Sequence, residues 1–168
     1  MRLGLYRLQR RVRRWWYRAA VARTCASHGE PLKVNGPTRV TRDTHLGRNV
    51  NFNGLRILGR GKVVIGDNFH SGIECMIIAE NHNHEGDAIP YDGTYVLKDV
   101  TIGDNVWLGN RVTILPGVTI GEGAIIQAGA VVVSDIPRCA IAGGNPARPF
   151  ASRDEARYER LKAEGKFH

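Results

Sequence analysis

The chain has 168 residues, 42% of them apolar, enough for one globular domain with a buried core. Its net charge of +8 points to a polyanionic partner only until it is located: residues 1–23 hold eight arginines and no acid, which leaves 16 basic against 16 acidic residues from Thr24 onward. Three widely spaced cysteines (Cys25, Cys75, Cys139) suggest neither a disulfide scaffold nor a zinc site, no apolar run reaches the ~20 residues of a membrane span, and the N-terminus lacks the apolar stretch of a secretory signal, so a cytoplasmic chain is expected.

Residues 1–23 form the first unit. At ~100° per residue, Leu5, Leu8, Val12, Trp15, Trp16 and Ala19 share one sector of a helix over Leu5–Ala19, and Arg7, Arg10, Arg11, Arg14 and Arg18 share the opposite one. A basic amphipathic helix with tryptophans on its apolar face is the profile of a peripheral anchor on an anionic membrane. The alternative is a cap, with the same apolar face packed on the rest of the chain or on a neighbouring subunit. No nucleic-acid-binding motif accompanies the charge, so no nucleic-acid partner is expected.

Residues 24–45 read as a linker and first coil, and a repetitive domain then runs over 46–148. Its early part is irregular: Leu46-Gly47-Arg48-Asn49-Val50, then Phe52, Leu58 and Ile65-Gly66-Asp67-Asn68-Phe69, with one extra residue between Leu58 and Ile65. The pattern fails over residues 80–99, where Asn81-His82-Asn83-His84-Glu85-Gly86-Asp87, Pro90, Tyr91, Gly93 and Tyr95 are too polar and turn-rich to build a wall. Such an interruption is a loop excursion on a rigid scaffold, where function concentrates.

From Ile102 to Pro137 the repeat is strict. Ile102, Leu108, Ile114, Ile120, Ile126 and Val132 recur every six residues, and Val106, Val112, Val118, Ala124, Ala130 and Ile136 stand four further on. A helix or coiled coil cannot keep a six-residue period on one face, whereas a short strand followed by a sharp corner can. Three such units close a triangular coil of 18 residues, and stacked coils bury the aliphatic column, which predicts an all-β parallel solenoid. Within the final unit, 149–168, Ser152-Arg153-Asp154-Glu155 predicts a helix to about Glu164, capped by the serine and expected to close the far end of the coil.

The string VTIGDNVWLGNRVTILPGVTIGEGAIIQAGAVVVSDIP (Val100–Pro137), followed by IAGGNPAR (Ile141–Arg148), resembles the C-terminal part of the hexapeptide-repeat acyltransferases, especially the maltose, galactoside and polysaccharide O-acetyltransferases. The likeness covers about residues 40–150. It implies a left-handed parallel β-helix, a homotrimer with each active site between two subunits, and acetyl-CoA as cosubstrate without a metal. Handedness does not follow from the periodicity. The implied activity is O-acetylation of a sugar or glycan hydroxyl, on a saccharide or lipid-linked precursor of surface polysaccharide. Amino-sugar N-acetylation and a non-catalytic solenoid scaffold are the alternatives.

A neutral hydroxyl needs a general base to attack a thioester, and histidine suits that task near neutral pH. Aligned from Ile65-Gly66-Asp67-Asn68, His82 stands where the family's loop histidine stands, and the resemblance makes it the base. His84 is the rival, or orients the acceptor with Glu85, and Tyr91 is a further candidate for acceptor contact. A backbone carbonyl or a carboxylate (Asp67, Glu80 or Glu85) is expected on the second ring nitrogen of the base. A zinc site from His70, His82 and His84 is the competing chemistry, weakened by the lack of any later histidine before His168. For acetyl-CoA, Asn110, Ala128, Gly129 and Ser134 stand at positions resembling the family's contacts. Trp107 is expected to wall the thioester end, and Arg148, with Arg138 as the weaker choice, to meet phosphates.

Overall fold

A computed structural model describes residues 2–168, with side chains from Tyr6 onward. Leu5, assigned above to the apolar helix face, lies outside the described side chains. Helix α1 (Arg2–Thr24) leads into a solenoid of short parallel strands on three faces. The first coil holds β1 (Ser27–His28) and β2 (Leu32–Val34), the second β3 (Thr44–Leu46), β4 (Val50–Phe52) and β5 (Arg56–Leu58), and the third β6 (Val63–Ile65), β7 (His70–Ser71) and β8 (Met76–Ile78). A two-stranded excursion follows, β9 (Glu80–His82) and β10 (Tyr95–Leu97). The fourth coil is β11 (Val100–Ile102), β12 (Trp107–Leu108) and β13 (Thr113–Ile114), and the fifth is β14 (Thr119–Ile120), β15 (Ile125–Ile126) and β16 (Val131–Val132). The sixth ends in β17 (Ala140–Gly144), against which β18 (Ala147–Ser152) folds back antiparallel before α2 (Glu155–Ala163).

Strand registers reproduce the arithmetic of the repeat. Thr101 lies beside Thr119, Trp107 beside Ile125 and Thr113 beside Val131, one 18-residue coil apart in each case. The irregular step earlier in the chain is absorbed where His45 pairs with Val64, and Val64 pairs with Thr101 across the whole excursion. The loop therefore leaves the solenoid without disturbing its stacking.

Both repeat positions point inward. Ile102, Leu108, Ile114, Ile120, Ile126 and Val132 are at most 1% exposed, and the set from Val106 to Ile136 at most 2%. Burying each of the larger aliphatic side chains contributes about 1.5–3 kcal/mol, so the column dominates the stability of a fold whose strands, β17 and β18 apart, are only two or three residues long. Phe52 and Phe69 stack edge to face at 5.9 Å in the early coils, filling width that the later coils fill with Ile and Val.

The corner between the first and second faces explains the Gly-Asp-Asn strings. Asn49, Asn68 and Asn105 all have φ between 55° and 59°, a left-handed conformation that Asn tolerates better than most residues. Their amides form a ladder, Asn49 Nδ2 donating to Asn68 Oδ1 and Asn68 Nδ2 to Asn105 Oδ1, both at 2.9 Å. Asp104 Oδ1 accepts from the Asp67 backbone N–H at 2.7 Å. A Cβ at Gly66 would stand 2.7 Å from the Asp104 nitrogen, so that glycine is required by close approach of the next coil.

The ends differ from expectation in two respects. Ser152 is not the helix cap, because it is still paired in β18 opposite Ala140; Asp154 caps α2 instead, accepting from the Arg157 backbone N–H at 3.0 Å. Nor does α2 close the coil. Tyr158 reaches back along the asparagine corner to Asn105 and Glu122, and the terminal His168 carbonyl accepts from Asn49 Nδ2 at 2.8 Å, so the segment runs beside the solenoid. At the other end, Val21 of α1 is buried, with Tyr17, Ala22 and Cys25 packed against the core.

Candidate active site

The excursion emerges at the corner between the third and first faces as an antiparallel hairpin in which His82 is opposite Tyr95. The His82 ring stacks on Tyr91, with centroids 3.8 Å apart and planes 15° off parallel, and lies 4.7 Å from the Tyr95 ring. Arg60 holds this cluster to the solenoid: its guanidinium sits 4.4 Å from the Tyr95 centroid while its Nε donates to Glu80 Oε2 at 2.9 Å. The loop is closed by Asp92, which accepts from the backbone N–H groups of Thr94 and Asp87 and from the Thr94 hydroxyl; the bonds from Thr94 hold its carboxyl below the usual range. Asn83 makes a local turn by accepting from the Glu85 backbone N–H at 3.1 Å.

Tyr91, a candidate for acceptor contact from sequence, lies stacked on the His82 ring. The carboxylates expected to hold the second ring nitrogen are engaged elsewhere, Glu80 with Arg60 and Asp67 with Arg48. Among the described residues, no hydrogen bond from this chain reaches the His82 ring. His84 and Glu85 are exposed further along the loop. The zinc alternative loses its geometry, since His70 belongs to β7 on the second face while His82 and His84 leave at another corner, and no group of three His, Cys, Asp or Glu gathers as a metal set among the described residues.

The second face carries a cavity of about 560 Å³ that turns the corner toward the third face. Trp107, Asn110 and Ala128, three of the residues assigned to the cosubstrate from sequence, line it. Gly129 is at the corner itself with φ 75°, Ser134 is exposed beyond β16, and neither lines the cavity. Arg148 sits on β18 opposite Gly143 with its Nη1 donating to the neighbouring Ala147 carbonyl, and it too is outside. Arg138 is committed to Glu155 and Glu159 of α2.

Sequence reading missed Asn53, Gln127 and Phe150, which line the same cavity, and gave His70 no part in it. Asn53 Nδ2 donates to the Ser71 carbonyl at 2.7 Å and lies 3.2 Å from His70 Nε2, where a neutral ring nitrogen accepts. Burial, reinforced by His168 and Lys33, holds the His70 imidazole below its ordinary value, which favours the neutral ring. Glycines 72 and 109 line the cavity, and a Cβ at Gly72 would stand 2.6 Å from the Asn110 nitrogen of the next coil, which leaves no room for a side chain. A second cavity of about 470 Å³ lies on the other side of Trp107, beneath α2, with Tyr158, Lys162, Lys166 and His168 on its wall.

The cavity lies along one solenoid wall and the loop histidine leaves at a different corner. The family model for the bacterial transferase hexapeptide (six repeats) matches residues 99–134. A galactoside acetyltransferase solved in complex with coenzyme A superposes with a TM-score of 0.68 at 35% identity, covering 82% of this chain and 68% of that one. The chain belongs to the hexapeptide-repeat transferase family. A maltose O-acetyltransferase from Clostridium difficile 630 is similar at 34% identity and a TM-score of 0.62, over 75% of this chain and 65% of that one. The galactoside O-acetyltransferase of Escherichia coli is 41% identical over 129 residues, 73% of this chain and 62% of that protein. This hexapeptide-repeat chain spans 47–62% of the length of the curated relatives it matches.

Proposed function

We propose that the chain transfers an acetyl group from acetyl-CoA to a sugar hydroxyl, with His82 as general base and a saccharide of a surface glycan or its lipid-linked precursor as acceptor. The observation that carries this reading is the Trp107–Asn110–Ala128 cavity on a solenoid whose relatives include a coenzyme A complex and two sugar O-acetyltransferases. Its long, open form along the coil edge suits an extended thiol cosubstrate, and its small residues and backbone suit amide-bearing arms.

A neutral His82 nitrogen takes the acceptor proton as the hydroxyl oxygen attacks the thioester carbonyl. The resulting imidazolium returns that proton to the departing sulfur when the C–S bond breaks. Because the His82 corner and the cavity corner are different in one chain, the two halves meet when the loop of one copy reaches the cavity of the next, which supports a homotrimer.

The test is free-thiol release from acetyl-CoA by the purified chain with galactosides, maltose, nucleotide sugars, amino sugars and lipid-linked glycans in turn. Release with a hydroxyl acceptor is expected, falling about 10²- to 10⁴-fold in His82→Ala. Acceptor-dependent release confined to amines overturns the O-acetyl assignment. Release that no acceptor raises above the hydrolytic background overturns the transferase reading, and activity unchanged by His82→Ala overturns the base.

A further inference from the structure

Helix α1 presents an apolar stripe that nothing in the described chain covers. Leu8, Val12, Trp15 and Trp16 are 48–58% exposed, and the two indoles pack edge to face with centroids 5.0 Å apart. The helix docks by its other side. Val21 is buried, Tyr17 and Ala22 pack on the first coil, and Arg18 pairs with Glu30. At ~100° per residue Tyr17, Arg18 and Val21 fall in the arginine sector, so docking turns the stripe outward. A cap formed by the apolar face on its own solenoid is therefore not what the chain builds.

Charge decides what covers the stripe. Seven arginines and no acid lie between Tyr6 and Arg23, and among the described residues Arg7, Arg10, Arg11, Arg13 and Arg14 make no ion pair. A second copy is the weaker complement, since eight of its sixteen acids (Glu30, Asp67, Glu74, Glu80, Glu122, Glu155, Glu159 and Glu164) are already paired within the chain and its own arginine cluster repels a like one, whereas a phosphate surface offers negative charge throughout. No described helix is long and apolar enough to cross a membrane, so an embedded span is not the use of this one. We infer that the stripe lies in the headgroup boundary of an anionic lipid bilayer, its arginines on phosphates and its tryptophans at the acyl margin, with the solenoid held over the surface by the Val21–Glu30 dock.

The experiment is co-sedimentation of the full chain with mixed phosphatidylcholine–phosphatidylglycerol vesicles, run beside phosphatidylcholine alone. Indole emission and the oligomeric mass of the free protein are followed in parallel. Expected are binding that needs the anionic lipid and weakens with salt, a blue shift of the indoles, and affinity loss of about tenfold or more in Trp15→Ser/Trp16→Ser. Because both indoles are more than half exposed, that variant keeps its fold, and its solution mass should equal the wild type's. Arg7→Gln/Arg11→Gln/Arg14→Gln should lose the anionic preference. Failure of the full chain to bind the anionic vesicles overturns the inference. So does a fall in oligomeric mass in the tryptophan variant, which would assign the stripe to contact between copies.

Discussion

Replacing Tyr91 separates two roles for that ring. If it holds the His82 imidazole, as their 3.8 Å, 15° stack indicates, the useful part of Tyr91 is its face and its hydroxyl is dispensable. A stacked aromatic pair is worth about 0.5–1.5 kcal/mol beyond area burial. With no hydrogen bond from the described chain to either ring nitrogen, that energy is the main restraint on the His82 ring, shared with Tyr95 at 4.7 Å. Losing it from productive orientation translates to about a 2- to 12-fold fall in kcat at ~1.36 kcal/mol per decade. Tyr91→Ala should show that fall in steady-state thiol release with the KM for acetyl-CoA little changed, because Tyr91 positions the His82 ring and does not line the cavity. Tyr91→Phe should restore kcat and leave the acceptor KM unaltered. A Tyr91→Phe enzyme with a strongly raised acceptor KM and normal kcat would refute the positioning role and return Tyr91 to acceptor binding through its hydroxyl.

Ala128→Leu adds three carbons to the wall of the 560 Å³ cavity, and the KM for acetyl-CoA should rise on the order of tenfold with melting temperature unchanged, since Ala128 faces solvent. Asn105→Ala removes the 2.9 Å and 2.7 Å bonds to Asn68 and Tyr158, about 2 kcal/mol together, and strains φ 59° by about 1 kcal/mol more. Asn105→Gly should be the milder of the two by urea denaturation. Burial, with the hydrogen bond to Glu122, pushes the Tyr158 phenol up to about 12. The unfolded chain ionises this tyrosine near pH ~10 while the folded chain keeps its proton, so stability should decline as pH rises from about 10 to 12. In Tyr158→Phe that part of the slope should vanish in pH-dependent urea midpoints.

The hexad column made the solenoid legible because each coil meets only its neighbours and repeats their contacts, so the period carries the topology. The excursion was legible for the converse reason: residues 80–99 cannot form wall, and the histidine that the family resemblance selects falls inside it. Ser152 was misread because a capping serine and a strand-end serine look alike until the partner strand is known, and β17 supplied that partner.

By itself, then, the sequence determined the stacked column with a sharp corner in each repeat, the place of the loop and the amphipathy of the first helix. All of these are written in short periods. Tertiary structure alone decided which residues share a wall. Asn53, His70, Trp107, Gln127, Ile141 and Phe150 lie on or directly after six successive strands of the second face and meet only through their register. It also decided that Tyr91 folds over His82, and that α1 docks through Val21 and leaves Trp15 and Trp16 outward. A helical wheel assigns faces, but only packing chooses which face is covered.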